Sequence, residues 1–228
     1  MHSITPDARL TAAAEFVRQG ARLADVGTDH AYLPVSLLRQ GVISFAVASD
    51  ISEGPLAHAR ETAAIAGIGE DRLRLVCTDG LTGLDTYGLT DIAICGMGGE
   101  GIAKILAAAP FVRDPAIRLI LQPMTRGFVL RRYLAENGFK IERENLACVR
   151  RHVYACLCVS FTGKPYSLTP IEAVLGAYHL GEGREHPLFP AYLREHLAAV
   201  CRRTTGLRTG GYRDREAAAL QTEMEKYL

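Results

Sequence analysis

Between residues 22 and 161 the chain alternates short apolar runs with amphipathic stretches, and that rhythm restricts the fold more than any other feature. The apolar runs are Arg22–Gly27, Phe45–Ile51, Leu73–Thr78, Asp91–Cys95 and Leu119–Leu121. Helical periodicity falls over Pro34–Gln40, Pro55–Ala66, Ile102–Ala109 and Phe128–Asn137, with Gly41, Gly67 and Gly138 placed to end three of these helices. Near-continuous apolar strands separated by helices are the signature of a parallel sheet covered on both faces, because right-handed crossovers place helices on each side. The expected fold is therefore α/β, doubly wound and Rossmann-like. Two further strands, Ile141–Leu146 and Val153–Phe161, have no helix between them. Joined by the basic turn Val149-Arg150-Arg151-His152, they predict an antiparallel edge that ordinary dinucleotide dehydrogenases lack.

The flanks are helical. Thr5-Pro6-Asp7 supplies an N-cap, a first-turn proline and a first-turn acid, ahead of a face made by Leu10, Ala13, Ala14 and Val17. After Gly163-Lys164-Pro165 only helical patterns remain. Leu193, Leu197, Val200, Thr204 and Leu207 form one seam, and Ala217, Leu220, Met224 and Tyr227 a second. Gly210-Gly211 between them predicts an antiparallel, coiled-coil-like hairpin. The chain thus divides into residues 1–162 and residues 163–228, which suits one ordinary domain with a modest appendage at 228 residues.

Composition excludes several classes. With 48% hydrophobic and 22% charged residues the chain is neither disordered nor low in complexity. No apolar run approaches the roughly 18 residues of a membrane span, and Met1–Pro6 lacks the basic, apolar start of a secretory signal. A cytoplasmic protein without membrane contact is expected. The six cysteines follow no metal-ligand spacing and read as reduced core residues, so no metal is expected. Cys156 and Cys158 share one face of a strand, but two thiols do not make a zinc site.

The net charge of +1 conceals a gradient. Residues 1–110 carry 8 Lys/Arg against 13 Asp/Glu, whereas residues 113–151 carry 9 against 4 and residues 184–215 carry 7 against 3. The second half therefore suits a polyanionic partner, although arginine-rich helices also serve as solvated faces.

In a parallel sheet, ligands bind at the C-terminal strand ends. Here those ends read Asp25-Val26-Gly27-Thr28-Asp29-His30, then Asp50-Ile51, then Cys77-Thr78-Asp79-Gly80, then Cys95-Gly96-Met97-Gly98-Gly99. Gly27 permits a sharp turn and close approach to a ligand. Asp50 follows it by 23 residues, about where an acid accepts the hydroxyls of a ribose. A pyrophosphate would favour glycines and few carboxylates, yet Asp29 occupies the position of the second glycine. Acids at 25, 29, 50 and 79 suit a cationic head, a ribose and an adenine amine, which describes S-adenosylmethionine (SAM) better than NAD. Asp25, Gly27, Asp50, Ile51, Asp79, Gly80 and Gly96 are the expected cofactor residues, with Asp50 on the ribose, Ile51 against the adenine and Asp79 at its amine.

The strings Asp25-Val26-Gly27-Thr28-Asp29-His30-Ala31-Tyr32-Leu33-Pro34, Cys95-Gly96-Met97-Gly98-Gly99 and Leu121-Gln122-Pro123, with the helical hairpin behind them, resemble the bacterial tRNA (adenine-22) N1-methyltransferases of the TrmK type. The resemblance runs over nearly the whole chain. Met124 departs from it, standing where the pattern has Asn. It implies a seven-stranded class I methyltransferase sheet, SAM as methyl donor, S-adenosylhomocysteine as product, and transfer to N1 of an unpaired adenine in tRNA. Asp29 is then the expected catalytic residue, accepting from the exocyclic amine and stabilising the cationic 1-methyladenine. His30, Tyr32, Met97, Gly98, Gly99 and Gln122 are expected around the base. Arg9, Arg126, Arg131, Arg132, Arg150, Arg151, Arg202, Arg203 and Arg208 are the expected phosphate contacts. A methyltransferase of a small metabolite and a non-catalytic RNA-binding module are the alternatives. The oligomeric state is left open.

Overall fold

The computed structural model describes residues 5–209 and 214–228. Its strands are β1 (Arg22–Val26), β2 (Phe45–Asp50), β3 (Leu73–Cys77), β4 (Asp91–Gly98), β5 (Arg118–Thr125), β6 (Phe139–Val149) and β7 (His152–Phe161). They form one sheet in the order β3-β2-β1-β4-β5-β7-β6. The first five are parallel, and β7 runs antiparallel to both β5 and β6. The two-strand edge is thus present, with the antiparallel strand itself one position in.

Helices α1 (Ala8–Ala14), α2 (Tyr32–Arg39) and α3 (Glu53–Ile65) cover one face, whereas α4 (Gly99–Ala107) and α5 (Gly127–Glu136) cover the other. Alternating strand residues sort accordingly: Val47, Ile92, Ile94, Leu119 and Leu121 enter one apolar cluster, and Ala46, Ala48, Ala93 and Ile120 enter the second. Cys156 and Cys158 are buried with the second cluster, while Cys77 and Cys148, expected in the core, are exposed. All six cysteines are free. The first helix starts at Ala8 with Asp7 as its cap, not Thr5: the Asp7 carboxylate accepts from the N–H groups of Arg9 (2.9 Å) and Leu10 (3.1 Å). A carboxylate at that position satisfies two otherwise orphaned donors.

The C-terminal helices are α6 (Pro170–Leu175), α7 (Ala177–Leu180), α8 (Phe189–Thr209) and α9 (Arg215–Glu225). Of the hairpin seams read from the sequence, Leu193, Thr204, Ala217 and Met224 are nearly inaccessible, whereas Leu197, Val200, Leu220 and Tyr227 are half-buried. Leu207 and Gly210-Gly211 lie outside the described side chains. Ile171, Leu175, Phe189, Tyr192, Leu193 and Met224 join the apolar cluster on the α4/α5 face of the sheet.

Arg131 is a correction. Expected to meet RNA, it is 1% exposed. Its guanidinium donates to both Glu144 carboxylate oxygens (3.0 and 2.6 Å), to the carbonyls of Ala173 (3.2 Å) and Val174 (3.0 Å), and to the Tyr192 hydroxyl (3.2 Å). Burial alone would lower its basicity, but Glu144 and Tyr192 outweigh burial and hold it firmly protonated. Arginine's fixed fork of donors suits this bidentate, fully satisfied geometry, which ties α5, β6, α6 and α8 together.

Candidate active site

The ends of β1 to β4 converge as the strand register requires. Gly27 has φ +73°. Its N–H and that of Thr28 donate to the Ser49 carbonyl at 2.8 and 2.9 Å, turning the chain off β1 across β2. A Cβ at Gly27 would come within 2.1 Å of the Met97 methyl, which a flexible side chain can move aside, so it is the left-handed backbone that requires this glycine. A cleft of about 790 Å³ opens beside it, lined by Gly27, Asp50, Ile51, Asp79, Gly80 and Met97 among others. Asp50 is fixed by accepting from the Ser52 N–H at 2.9 Å. Ile51 is 67% exposed at the rim, an apolar surface that a planar base would cover.

Gly27 also borders a second pocket of about 410 Å³, which contains Asp25, Thr28, Asp29, His30, Tyr32, Gly96 and Gln122. Asp25 is buried, and desolvation pushes its carboxyl up to about 6 despite the hydrogen bond from the Thr28 hydroxyl (2.7 Å). The same hydroxyl accepts from the Ala31 N–H at 3.0 Å, which locks the loop. Asp29 is 76% exposed, with the His30 Nε2 3.6 Å from its carboxylate. The two pockets thus separate the expected residues: Asp50, Ile51, Asp79 and Gly80 on one side of Gly27, and Asp25, Asp29, His30, Tyr32 and Gly96 on the other.

Several expectations about the base site are corrected. Gly99 is buried at the start of α4, where a Cβ would lie 2.4 Å from the Arg126 carbonyl oxygen; it serves close packing of α4 on the next loop. Gly98 lines neither pocket, and Met97 faces the larger cleft. Gln122 is 1% exposed. Its Oε1 accepts from the Gly96 N–H (3.2 Å) and its amide donates to the Pro123 carbonyl (3.0 Å), so it braces the bulge in β4 instead of presenting a free amide. Gly96, at φ +86°, is the residue that this brace displays to the pocket.

The arginines also divide. Arg9 is turned inward, paired with Asp7 at 2.6 Å and reaching Gln122 and the Met124 sulfur, so it forms a pocket wall, not a free phosphate contact. Arg132, Arg150, Arg151 and Arg202 are exposed. Arg126 is exposed but paired with Glu100, and Arg203 with Asp214 at 2.7 Å. The Arg208 side chain lies outside the described residues. A third groove of about 320 Å³ joins Pro123-Met124-Thr125 at the end of β5 to His152, Tyr154, Glu195 and His196, running toward α8. Thr28, Asp7 and Lys104 contribute to the site without having been singled out from sequence. Thr28 sits inside the motif already noted, so its hydroxyl was visible there, whereas Lys104 enters only through the helical turn of α4. Among the described residues, Asp29, His30 and His58 are near enough to one another to share a cation.

A mostly parallel seven-stranded sheet with an antiparallel inserted strand, and acids and glycines at successive strand ends, defines a Rossmann-like class I methyltransferase. Residues 7–157 match the model of a methyltransferase domain. The tRNA (adenine(22)-N(1))-methyltransferase of Bacillus subtilis is 33% identical over 141 residues, 62% of this chain and 59% of that protein. A proposed tRNA methyltransferase of Mycoplasma pneumoniae is 31% identical over 68% of this chain and 70% of its own length. A Streptococcus pneumoniae protein, proposed as a tRNA (m1A22) methyltransferase and solved with S-adenosyl-L-methionine, superimposes with a TM-score of 0.82 at 29% identity, covering 96% of this chain and 98% of that one. The chain belongs to the methyltransferase-domain family, and the relatives just named are tRNA methyltransferases, the first of which it spans over less than two thirds of its length.

Proposed function

We propose that this protein transfers a methyl group from SAM to N1 of an unpaired adenine in tRNA, at position 22. The observation that carries the reading is the pair of pockets meeting at Gly27, one lined by Asp50, Ile51 and Asp79 and the other holding the exposed carboxylate of Asp29. The larger cleft's residues fit the adenosine part of the cofactor, with Asp50 for the ribose hydroxyls, Ile51 and Met97 for the adenine faces and Asp79 for its amine, while buried Asp25, in the smaller pocket across Gly27, suits the ammonium group. SAM supplies the sulfonium methyl when bound there.

The residues of the chain perform the rest by positioning and electrostatics. Neutral adenine has a lone pair at N1, so no base is needed to expose the nucleophile. Asp29 accepts a hydrogen bond from the exocyclic amine and aligns N1 with the methyl. As the transferring carbon moves, positive charge passes to the adenine ring, and the same carboxylate stabilises it. Asp29 is open to solvent until RNA covers the pocket, whereupon the lower dielectric strengthens this attraction. N1 lies on the Watson–Crick edge, so the target base enters the pocket unpaired. The exposed Arg132, Arg150, Arg151 and Arg202, together with the groove leading to His152 and His196, support a path for the phosphate backbone. No helix among the described residues is long and apolar enough to cross a membrane. A cytoplasmic location follows from the tRNA substrate this reading assigns.

Methyl transfer from labelled SAM to unmodified tRNA transcripts, followed by reverse-transcription mapping, tests the reading. We expect a stop at adenine 22 that disappears when that base is replaced. Asp29→Ala should lose turnover by about a hundredfold or more, in the range of electrostatic contributions, while SAM affinity is retained. Label in a small metabolite pool but in no tRNA would favour the metabolite reading, and full turnover by Asp29→Ala would remove this residue's role.

A further inference from the structure

Three planar rings stand face to face beside the small pocket. Tyr32, at the start of α2, lies 4.9 Å from the His30 ring at an interplanar angle of 6°. His58, on α3, also stacks on His30, with ring centroids 4.7 Å apart at 11°. Tyr32 and His30 belong to the pocket wall that contains Asp29, whereas His58 borders neither pocket and is exposed. The column therefore runs from the wall of the pocket to the outer surface. Core packing does not account for it, since its outer members remain in solvent instead of filling the apolar cluster beneath α2 and α3.

We propose that His58 is the outer end of a stacking platform, which receives the unpaired nucleobase next to the target adenine in the RNA chain. Every nucleobase has a π-face, and parallel aromatic rings left open to solvent beside a base pocket are how proteins hold single-stranded bases without reading their edges. An adenine drawn into the pocket leaves its neighbour unstacked. The exposed imidazole face offers that neighbour a replacement, so RNA binding holds the extruded geometry open. Asp29, His30 and His58 could also be considered as cation ligands, because their ligand atoms lie within 4.8 Å of one another. The ring geometry opposes this. Imidazole lone pairs lie in the ring plane, and two nearly parallel stacked rings direct theirs along separate planes instead of toward one point.

The assignment rests on the tRNA reading above, and the test keeps the two separable. Transcripts carrying 2-aminopurine at position 21 or 23 are titrated with enzyme saturated in S-adenosylhomocysteine, and steady-state methylation is measured on unlabelled transcript. The wild type should quench one of the two probes. His58→Ala should abolish that quenching and raise the KM for tRNA about tenfold, with the KM for SAM unchanged, as loss of one base–aromatic stack predicts. His58→Phe should restore both, because phenylalanine stacks but cannot ligate. Binding and quenching by His58→Ala equal to wild type would overturn the platform while leaving the tRNA reading intact. Failure of His58→Phe, with zinc altering the wild-type enzyme alone, would overturn it in favour of a cation site. Absence of any tRNA binding by the wild type would remove the RNA reading, and the platform with it.

Discussion

Asp25 sits out of solvent at the end of β1, with the Thr28 hydroxyl donating to it, and its carboxyl titrates near 6 instead of near 3.8. A raised acid is neutral in the folded protein at low pH, so its contribution to stability is fully present below about pH 4 and is lost as pH rises through about 6. The cofactor's ammonium group prefers the ionised form. SAM affinity should therefore rise between about pH 5 and 7, by up to about tenfold per unit on the acid side, while the unliganded protein loses stability between about pH 4 and 6. Calorimetric titration of SAM across that range checks the first trend and thermal melting the second. Asp25→Asn should flatten both, and a pH-dependent affinity that survives the substitution would assign the effect elsewhere. The contrast between buried Asp25 and exposed Asp29, four residues on, is legible only in the structure, because both are plain aspartates in one short motif.

At the level of elements, the alternating strands and helices were readable because parallel strands buried on both faces demand apolar runs, and glycines mark the helix ends. The parts that were not readable are those where one backbone is pressed against another. Gly98 and Gly99 look in sequence like a ligand loop, yet Gly99 exists to let α4 approach the Arg126 carbonyl. Gln122 looks like a free amide at a strand end, but it is held by backbone groups on β4 and its own strand and approached by the Arg9 guanidinium, contacts invisible to spacing. Arg150 and Arg151 belong to the opposite case: the turn between β6 and β7 was expected from its basic residues, and both side chains remain exposed there, with Arg150 at φ +57°. Reversing both charges (Arg150→Glu with Arg151→Glu) should weaken tRNA binding about tenfold or more and reduce its salt dependence, leaving SAM affinity unchanged. Filter binding across a salt series reads both numbers. Unchanged slopes would mean that the RNA does not pass this turn.

Across the whole molecule, charge counting identified a basic second half correctly but could not say which arginines face outward. Arg131 differs from Arg132 by one position and points the opposite way, because α5 turns its apolar face, with Leu130 and Leu134, onto the sheet. Arg131→Met should destabilise the protein by about 3–5 kcal/mol, since Glu144 would be left buried and uncompensated. Pairing it with Glu144→Leu should recover much of that loss, and urea unfolding of the three proteins measures the difference. If Arg131→Met unfolds at the wild-type midpoint, the pair is energetically idle. The partners of this guanidinium lie 13, 42, 43 and 61 residues further along the chain. During synthesis, a ribosome that has completed the methyltransferase sheet has therefore not yet supplied what the sheet needs. Until α6 and α8 emerge, Arg131 and Glu144 lack their remaining donors and acceptors, and the nascent protein stays open to proteolysis. A transcript cut short after β7 would accordingly give rise to a polypeptide that is cleared instead of accumulating as a working enzyme without its arm.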